Sequence, residues 1–345
     1  MKRKNFIKSL SLASAASFLP SEKFLPFSSR QKKIIKPKKL KAGDTIALVT
    51  PGSYISEKEL NDSIENLNSL GFKVVYNKSI LNQNGYFSGN DKERAAELTE
   101  MFSRKDVDGI MCARGGYGCS RILPLLDYDI ILDNPKVLIG YSDITALLYG
   151  IYSQTGLVCF HGPVGISTFN EFSVNYFKNV LVKPQEKLQL DSTPEENNPD
   201  PIIISSGKAE GELVGGNLSV AVSLIGTEYD IDTEDKIIFI EETSEEPYRV
   251  DRMLTQMIMS GKFEKAAGVA LGIFDNCEPK KENPSFDNSF SLKEVLFDRL
   301  AGLGIPVVYG LSFGHIKNKF TLPFGIKTEL NSDTKTLTLL EPAVV

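Results

Sequence analysis

From Thr45 onward, short runs of consecutive apolar residues alternate with stretches in which apolar residues recur every three or four positions. Short apolar runs bounded by turn residues read as buried strands, and the helical spacing between them predicts repeated strand-helix units around a parallel sheet. Thr45 to Val49 is the first such strand. Ser56-Glu57-Lys58-Glu59 then forms a capping box, Leu60, Ile64, Leu67 and Leu70 share one helical face, and Gly71 ends the helix. The pattern continues with a strand over Phe72 to Tyr76, a helix over Asp91 to Ser103 and a strand over Gly109 to Ala113. A glycine turn, a short helix over Ser120 to Leu126 and a strand over Lys136 to Ile139 follow.

Periodicity lapses between Lys183 and Ser206, where Pro184, Pro194, Pro199 and Pro201 stand among acidic and polar residues, the composition of a linker. Beyond it the pattern predicts a glycine turn at Gly215-Gly216, strands over Lys236 to Ile240 and Gly268 to Phe274, and helices over Pro247 to Lys262 and Ser291 to Leu303. Short strands at Val307 to Tyr309, Phe320 to Leu322 and Thr336 to Leu339 make the end β-rich. The expected organisation is a leader over residues 1–36, an N-terminal α/β lobe over 37–185, a linker over 186–207, and a smaller β-rich α/β lobe over 208–345. A chain of 345 residues has room for two hydrophobic cores.

Composition, 41% hydrophobic and 24% charged, is that of a globular protein, and no apolar run beyond the N-terminus is long enough to cross a bilayer. The net charge of −5, with much of the positive charge before residue 42, argues against a nucleic-acid partner. Lys2, Arg3 and Lys4, followed by the stretch Phe6 to Leu19 with Ala13-Ser14-Ala15, predict a secretory leader. Arg3-Lys4 approximates a twin-arginine signal with one arginine replaced. A periplasmic or otherwise exported protein is expected; because Lys8 interrupts the apolar stretch, the alternative is a cytoplasmic one. Cys112, Cys119, Cys159 and Cys277 fall in no CxxC arrangement and are expected as buried hydrophobes rather than metal ligands or disulfides.

The turn Gly140-Tyr141-Ser142-Asp143-Ile144 joins a buried strand directly to a helical pattern. Such a turn lifts a serine oxygen clear of the sheet and offers free helix N–H groups to an oxyanion. Ile144 stands where a G-x-S-x-G elbow has its last glycine, so an ordinary α/β-hydrolase is not indicated, and Ser142 could equally be a helix cap. A nucleophilic serine needs a base, and the chain has two histidines, His161 and His315, between which the sequence does not choose. Glu241, at the end of the predicted strand 236–240, suits the orienting carboxylate, although Glu242, Glu245 and Glu246 beside it also read as a solvated acidic face. The turn Arg114-Gly115-Gly116-Tyr117-Gly118 could bring backbone N–H groups to an anion, yet it spells neither a Walker loop nor a full G-x-G-x-x-G. Arg114 is a candidate grip for a substrate carboxylate.

Several blocks together resemble the LD-carboxypeptidase, or muramoyltetrapeptide carboxypeptidase, family of serine peptidases. They are Lys38 to Asp44, Ala113 to Gly118, Gly140 to Asp143, Gly215-Gly216-Asn217-Leu218, Glu241 through Met253, and Phe313-Gly314-His315. The resemblance implies a Rossmann-like parallel-sheet N-terminal lobe with a smaller β-rich C-terminal lobe, and a cleft site between them. It implies Ser142 as nucleophile, His315 as base, Glu241 as its partner, and an oxyanion hole from the backbone N–H of Asp143 and of Gly115 or Gly116. Asn217 joins Arg114 as a candidate substrate contact. The implied substrate is a muropeptide tetrapeptide, cleaved between an L-centre diamino acid and a terminal D-alanine with no cofactor and no metal. The alternatives are hydrolysis of peptidyl-adenylate antibiotics by a relative of the same family, or a non-catalytic wall-peptide binding protein. Oligomeric state stays open, a homodimer being one alternative.

Overall fold

In the computed structural model, which describes residues 33–193 and 200–345, the first apolar runs pair side by side. Strands β1 (Thr45–Val49), β2 (Lys73–Val75), β3 (Gly109–Cys112), β4 (Val137–Gly140) and β5 (Phe160–His161) lie parallel in the order β2-β1-β3-β4-β5. In a doubly wound sheet of this order the ligand crevice opens at the carboxyl ends of β1 and β3, where the direction of winding reverses. β3 and β4 are buried throughout, as strands covered on both faces must be. The helix Glu57–Ser69 carries the predicted capping box, with Ser56 and Glu59 bonded to each other's backbone N–H, and Gly71 beyond it adopts φ 89°.

Among the described residues the second sheet has eight strands. β6 (Leu188–Leu190), β7 (Ile202–Ser205), β8 (Lys208–Asn217), β9 (Lys236–Thr243), β10 (Gly268–Asp275) and β11 (Val307–Gly314) belong to it. β12 (Leu322–Pro323) does not, whereas β13 (Lys327–Asn331) and β14 (Thr336–Leu339) do, giving the order β6-β14-β13-β8-β9-β10-β11-β7. β8 to β11 run parallel and the flanking strands antiparallel. The architecture is therefore mixed α/β with two sheets, the first largely parallel.

Three expectations change. The segment read as a linker supplies both edges of the second sheet: Leu188 and Leu190 alternate with exposed Gln189, and Ile202 to Ser205 pairs with β11. Runs of three or four residues are too short to show a period among prolines, and pairing with a neighbour fixes them instead. Gly215-Gly216 is no turn; both lie inside β8 with φ near 147° and 143°, and a side-chain carbon on Gly215 would fall 1.8 Å from the Phe239 carbonyl oxygen. Gly215 lets the strand press against β9 where no side chain fits, and Gly216 lets it close on Thr145, where a side-chain carbon would fall 2.6 Å from the threonine side chain. Finally, the expected leader over residues 1–36 overlaps the fold. Ile35 exchanges hydrogen bonds of 2.9 Å with Gly156 and Val158, so residues 33–36 are part of the fold rather than leader. The predicted signal between Lys2 and Leu19 lies outside the described residues.

Strand alternation distributes the core. Ile237 and Phe239 face a cluster continuous with the first sheet, while Ile238 and Ile240 face a second cluster closed by helices Pro247–Met259 and Leu292–Leu300. The first cluster joins residues of both sheets, among them Leu138, Phe160, Phe239 and Phe313, with Phe324 from the connection after β12. β12 makes this literal: it leaves the second half of the chain to pair antiparallel with β5. The next residues then bond both sheets, Phe324 N–H donating to Cys159 O and Leu213 N–H to Ile326 O.

Candidate active site

Beyond β4 the chain turns sharply because Gly140 has no side chain; a carbon there would lie 2.9 Å from Ile144 Cγ2 and 3.2 Å from Cys112 Cβ. Ser142 follows in the left-handed region, φ 65°, and opens the short turn Ser142–Ile144 that leads into the helix Thr145–Thr155. A non-glycine residue held there stores about 1–2 kcal/mol of strain. Neither the turn nor the helix has a side-chain cap, so Ser142 is not spent as one. The bent backbone presents its partly exposed side chain outside the sheet.

The glycine turn after β3 packs directly on this elbow. A methyl group on Gly115 would stand 3.0 Å from Ser142 Cβ, 3.2 Å from Tyr141 O and 3.3 Å from Asp143 N, whereas one on Gly116 would strike Ser53. Of the two glycines left open by the sequence, Gly115 is the one against Ser142. Asp143 ties the elements together: its buried Oδ2 accepts the Cys119 N–H at 2.9 Å, and burial raises its pKa against the hydrogen bonds from Cys119 and Gly118. Ser53, unmarked in the sequence reading, braces the turn. Its N–H donates to Gly115 O at 3.1 Å and its Oγ accepts the Tyr117 N–H at 3.2 Å. The only available signal was Pro51-Gly52-Ser53, a turn directly after the first strand.

Glu241 shares the strand face of Ile237 and Phe239, and so points toward the first sheet, fully buried. Its Oε2 lies 2.8 Å from His315 Nδ1. With the carboxylate ionised, Nδ1–H donates and Nε2 is left as an acceptor. Gly314 makes the approach possible, since a side-chain carbon there would sit 3.1 Å from Glu241 Oε2. Burial pulls the His315 pKa down, but the hydrogen bond to Glu241 and the charges of Glu241 and Glu242 outweigh it and hold it above 6.5. The Tyr141 ring, next to Ser142 in the chain, meets His315 edge to face at 4.9 Å.

The acidic stretch is not a solvated face, for Glu242 and Glu246 are buried as well. Glu242 accepts from Asn217 Nδ2 at 3.0 Å and Ser219 N–H at 2.7 Å. Asn217 also accepts the Val220 N–H, capping the helix Leu218–Ser223, so its side-chain amide is engaged within the protein. Arg114 forms a 3.5 Å ion pair with Glu59 and remains partly exposed.

His161 is 2% exposed and lies among the rings of Phe239 at 5.3 Å, Tyr141 at 6.0 Å and Phe313 at 6.4 Å. Burial pushes its pKa down to about 4, which keeps it neutral. His161→Ala should therefore cost about 2–4 kcal/mol of stability, as emptied core sites do. Thermal denaturation should report the loss, while the folded fraction keeps most of its turnover. The four cysteines are free and buried.

Comparison with known proteins sets the chain among two-domain α/β carboxypeptidases. Residues 46–162 match the LD-carboxypeptidase N-terminal domain and residues 210–330 the LD-carboxypeptidase C-terminal domain. The chain is 40% identical over 306 residues to the probable murein peptide carboxypeptidase of Bacillus subtilis (strain 168), spanning 87% of this chain and 93% of that one. Among solved structures, the microcin C7 self-immunity protein MccF aligns with a TM-score of 0.81 at 30% identity, over 90% of this chain and all of that one. MccF has also been solved in complex with aspartyl sulfamoyl adenosine. Muramoyltetrapeptide carboxypeptidase from Oxalobacter formigenes gives 0.74 at 31% identity, over 86% and 97% of the two chains. The chain belongs to the LD-carboxypeptidase family.

Proposed function

We propose that the protein is a serine-type LD-carboxypeptidase that releases terminal D-alanine from muropeptide tetrapeptides. The observation that carries this reading is the pair of buried Glu241 and half-buried His315, 2.8 Å apart, with His315 packed on the residue preceding the strained Ser142. Ser142 Oγ attacks the carbonyl of the diamino acid while His315 Nε2 takes its proton. Backbone N–H groups of Asp143 and the Gly115 turn stabilise the oxyanion, and His315 protonates the departing amine. Water then attacks the acyl-enzyme with His315 as base again, returning the peptide acid. Glu241 fixes the tautomer and balances the imidazolium. Incubation with a defined tetrapeptide, followed by mass spectrometry, tests the reading: the tripeptide and D-alanine should be the products.

Because the imidazole must be neutral to act as base, kcat/KM should rise with pH. The pair with Glu241 raises the His315 pKa, so the half-maximal point should fall above 6.5. A profile flat from mildly acidic to alkaline pH would exclude His315.

The likeness to MccF favours a second reading, hydrolysis of a peptidyl-adenylate. A non-hydrolysable aminoacyl sulfamoyl adenosine offered as competitor separates the two, since it should inhibit tetrapeptide cleavage only if the site takes a nucleoside. We also propose export, on the basic start and apolar stretch at Lys2 to Leu19. Fractionation that finds the protein only in the cytoplasm would refute it.

A further inference from the structure

Tyr86 and Tyr117 are 60% and 51% exposed, and their ring centres lie 5.8 Å apart over a shared support. Phe87 lies beneath both, 4.4 Å from Tyr86 and 5.9 Å from Tyr117. The guanidinium groups of Arg94 and Arg121 stand 4.7 Å and 5.0 Å from the Phe87 ring centre. Gly118 lets Phe87 close on the glycine turn, for a side-chain carbon there would lie 2.7 Å from the ring. Reciprocal backbone hydrogen bonds between Asn84 and Phe87, of 2.9 Å and 3.1 Å, close the loop that presents Tyr86. Tyr117 is fixed through the hydrogen bond of its N–H to Ser53. Tyr86 and Tyr117 thus present two half-exposed aromatic rings side by side, an amphipathic surface suited to a ligand with an apolar face and a polar edge.

We propose that Tyr86 and Tyr117 form a stacking platform for the sugar ring attached to the amino end of a muropeptide. The inference rests on the carboxypeptidase reading and extends it to the substrate's glycan portion. Reach supports it. Three residues separate the scissile bond of a tetrapeptide from its sugar, about 10 Å when extended. Tyr117 follows Gly115 by two residues, which places its Cα within about 7 Å of the glycine that abuts Ser142, with the ring extending farther. Shape supports it as well. The rings of Tyr86 and Tyr117 are inclined by 51°, an open face suited to a puckered pyranose rather than a parallel slot for a flat base. Each ring also carries a hydroxyl at its edge to meet those of the sugar.

Binding to Ser142→Ala protein, measured by calorimetry, tests the platform without requiring turnover. The ligands are a tetrapeptide and the same tetrapeptide joined to its disaccharide. The sugar should tighten binding about three- to tenfold, the range of one aromatic contact. Adding Tyr86→Ala, a change outside the glycine turn, or Tyr117→Leu should abolish that difference. Equal affinities for the two ligands, or a sugar preference that survives both substitutions, overturns the proposal. So does stronger binding of adenosine monophosphate to the same rings. Wild-type protein that binds the sugar-linked peptide through these tyrosines but releases no D-alanine refutes the hydrolytic reading and leaves the platform standing.

Discussion

Replacing Ser142 or His315 with alanine is expected to lower turnover on a tetrapeptide by about 10⁴- to 10⁶-fold each, measured as D-alanine released. The expected size follows from the way the groups cooperate. Without Ser142 there is no acyl-enzyme; without His315 the hydroxyl keeps its proton and the leaving amine receives none. The double variant should be scarcely worse than either single one, because each change already disables the unit. Glu241→Gln should cost somewhat less, about 10³- to 10⁴-fold, since an amide can still hold the ring but neither fixes the productive tautomer nor balances the imidazolium. Glu241 is fully buried, so a melting curve must accompany each kinetic value. If His161→Ala abolished turnover in folded protein while His315→Ala kept it, the base would be misassigned.

Gly115→Ala is expected to reduce kcat by about a hundredfold or more, with a smaller change in KM. Its backbone does not need glycine for its own dihedral angles, since φ is not in the positive range there. What the glycine secures is space. The added methyl would press on Ser142 Cβ at 3.0 Å and lie 3.3 Å from Asp143 N, the donor proposed for the oxyanion. The elbow would have to shift by a few tenths of an ångström. Catalysis is sensitive to such displacements, whereas binding of the distant end of the peptide is not. A loss confined to KM would place the oxyanion elsewhere.

The first half of the fold was largely legible because its elements are regulated locally. The helix Asp91–Ser103 and the strand Thr45–Val49 agree with their sequence-derived bounds, the one set by Asn90 and Glu93 as reciprocal caps, the other by turn residues. Ser142 was visible for the same reason, as a strand meeting a helix through a glycine. The missed elements depend on distant partners. Leu188–Leu190 becomes a strand only because Leu337–Leu339 lies beside it, and Gly215-Gly216 reads as a turn until Phe239 is brought against it. The choice between His161 and His315 was likewise not local. Burial among aromatic rings lowers the pKa of one and a carboxylate from another strand pairs with the other, and neither neighbour is near in sequence. Glu241 stood out as a strand-end residue, but only the alternation from Ile237 shows which way it faces.

The transfer of β12 from the second half of the chain to the edge of the first sheet bears on how the molecule is made. During synthesis, the sheet that holds Ser142 waits with β5 unpaired on one side until residues Leu322 and Pro323 have left the ribosome. By then Glu241 and His315 have also emerged, and the aromatic cluster that spans both sheets can close. On the proposed mechanism, hydrolytic competence therefore arrives late, and a nascent chain interrupted before that point carries Ser142 without the sheet edge that completes its surroundings.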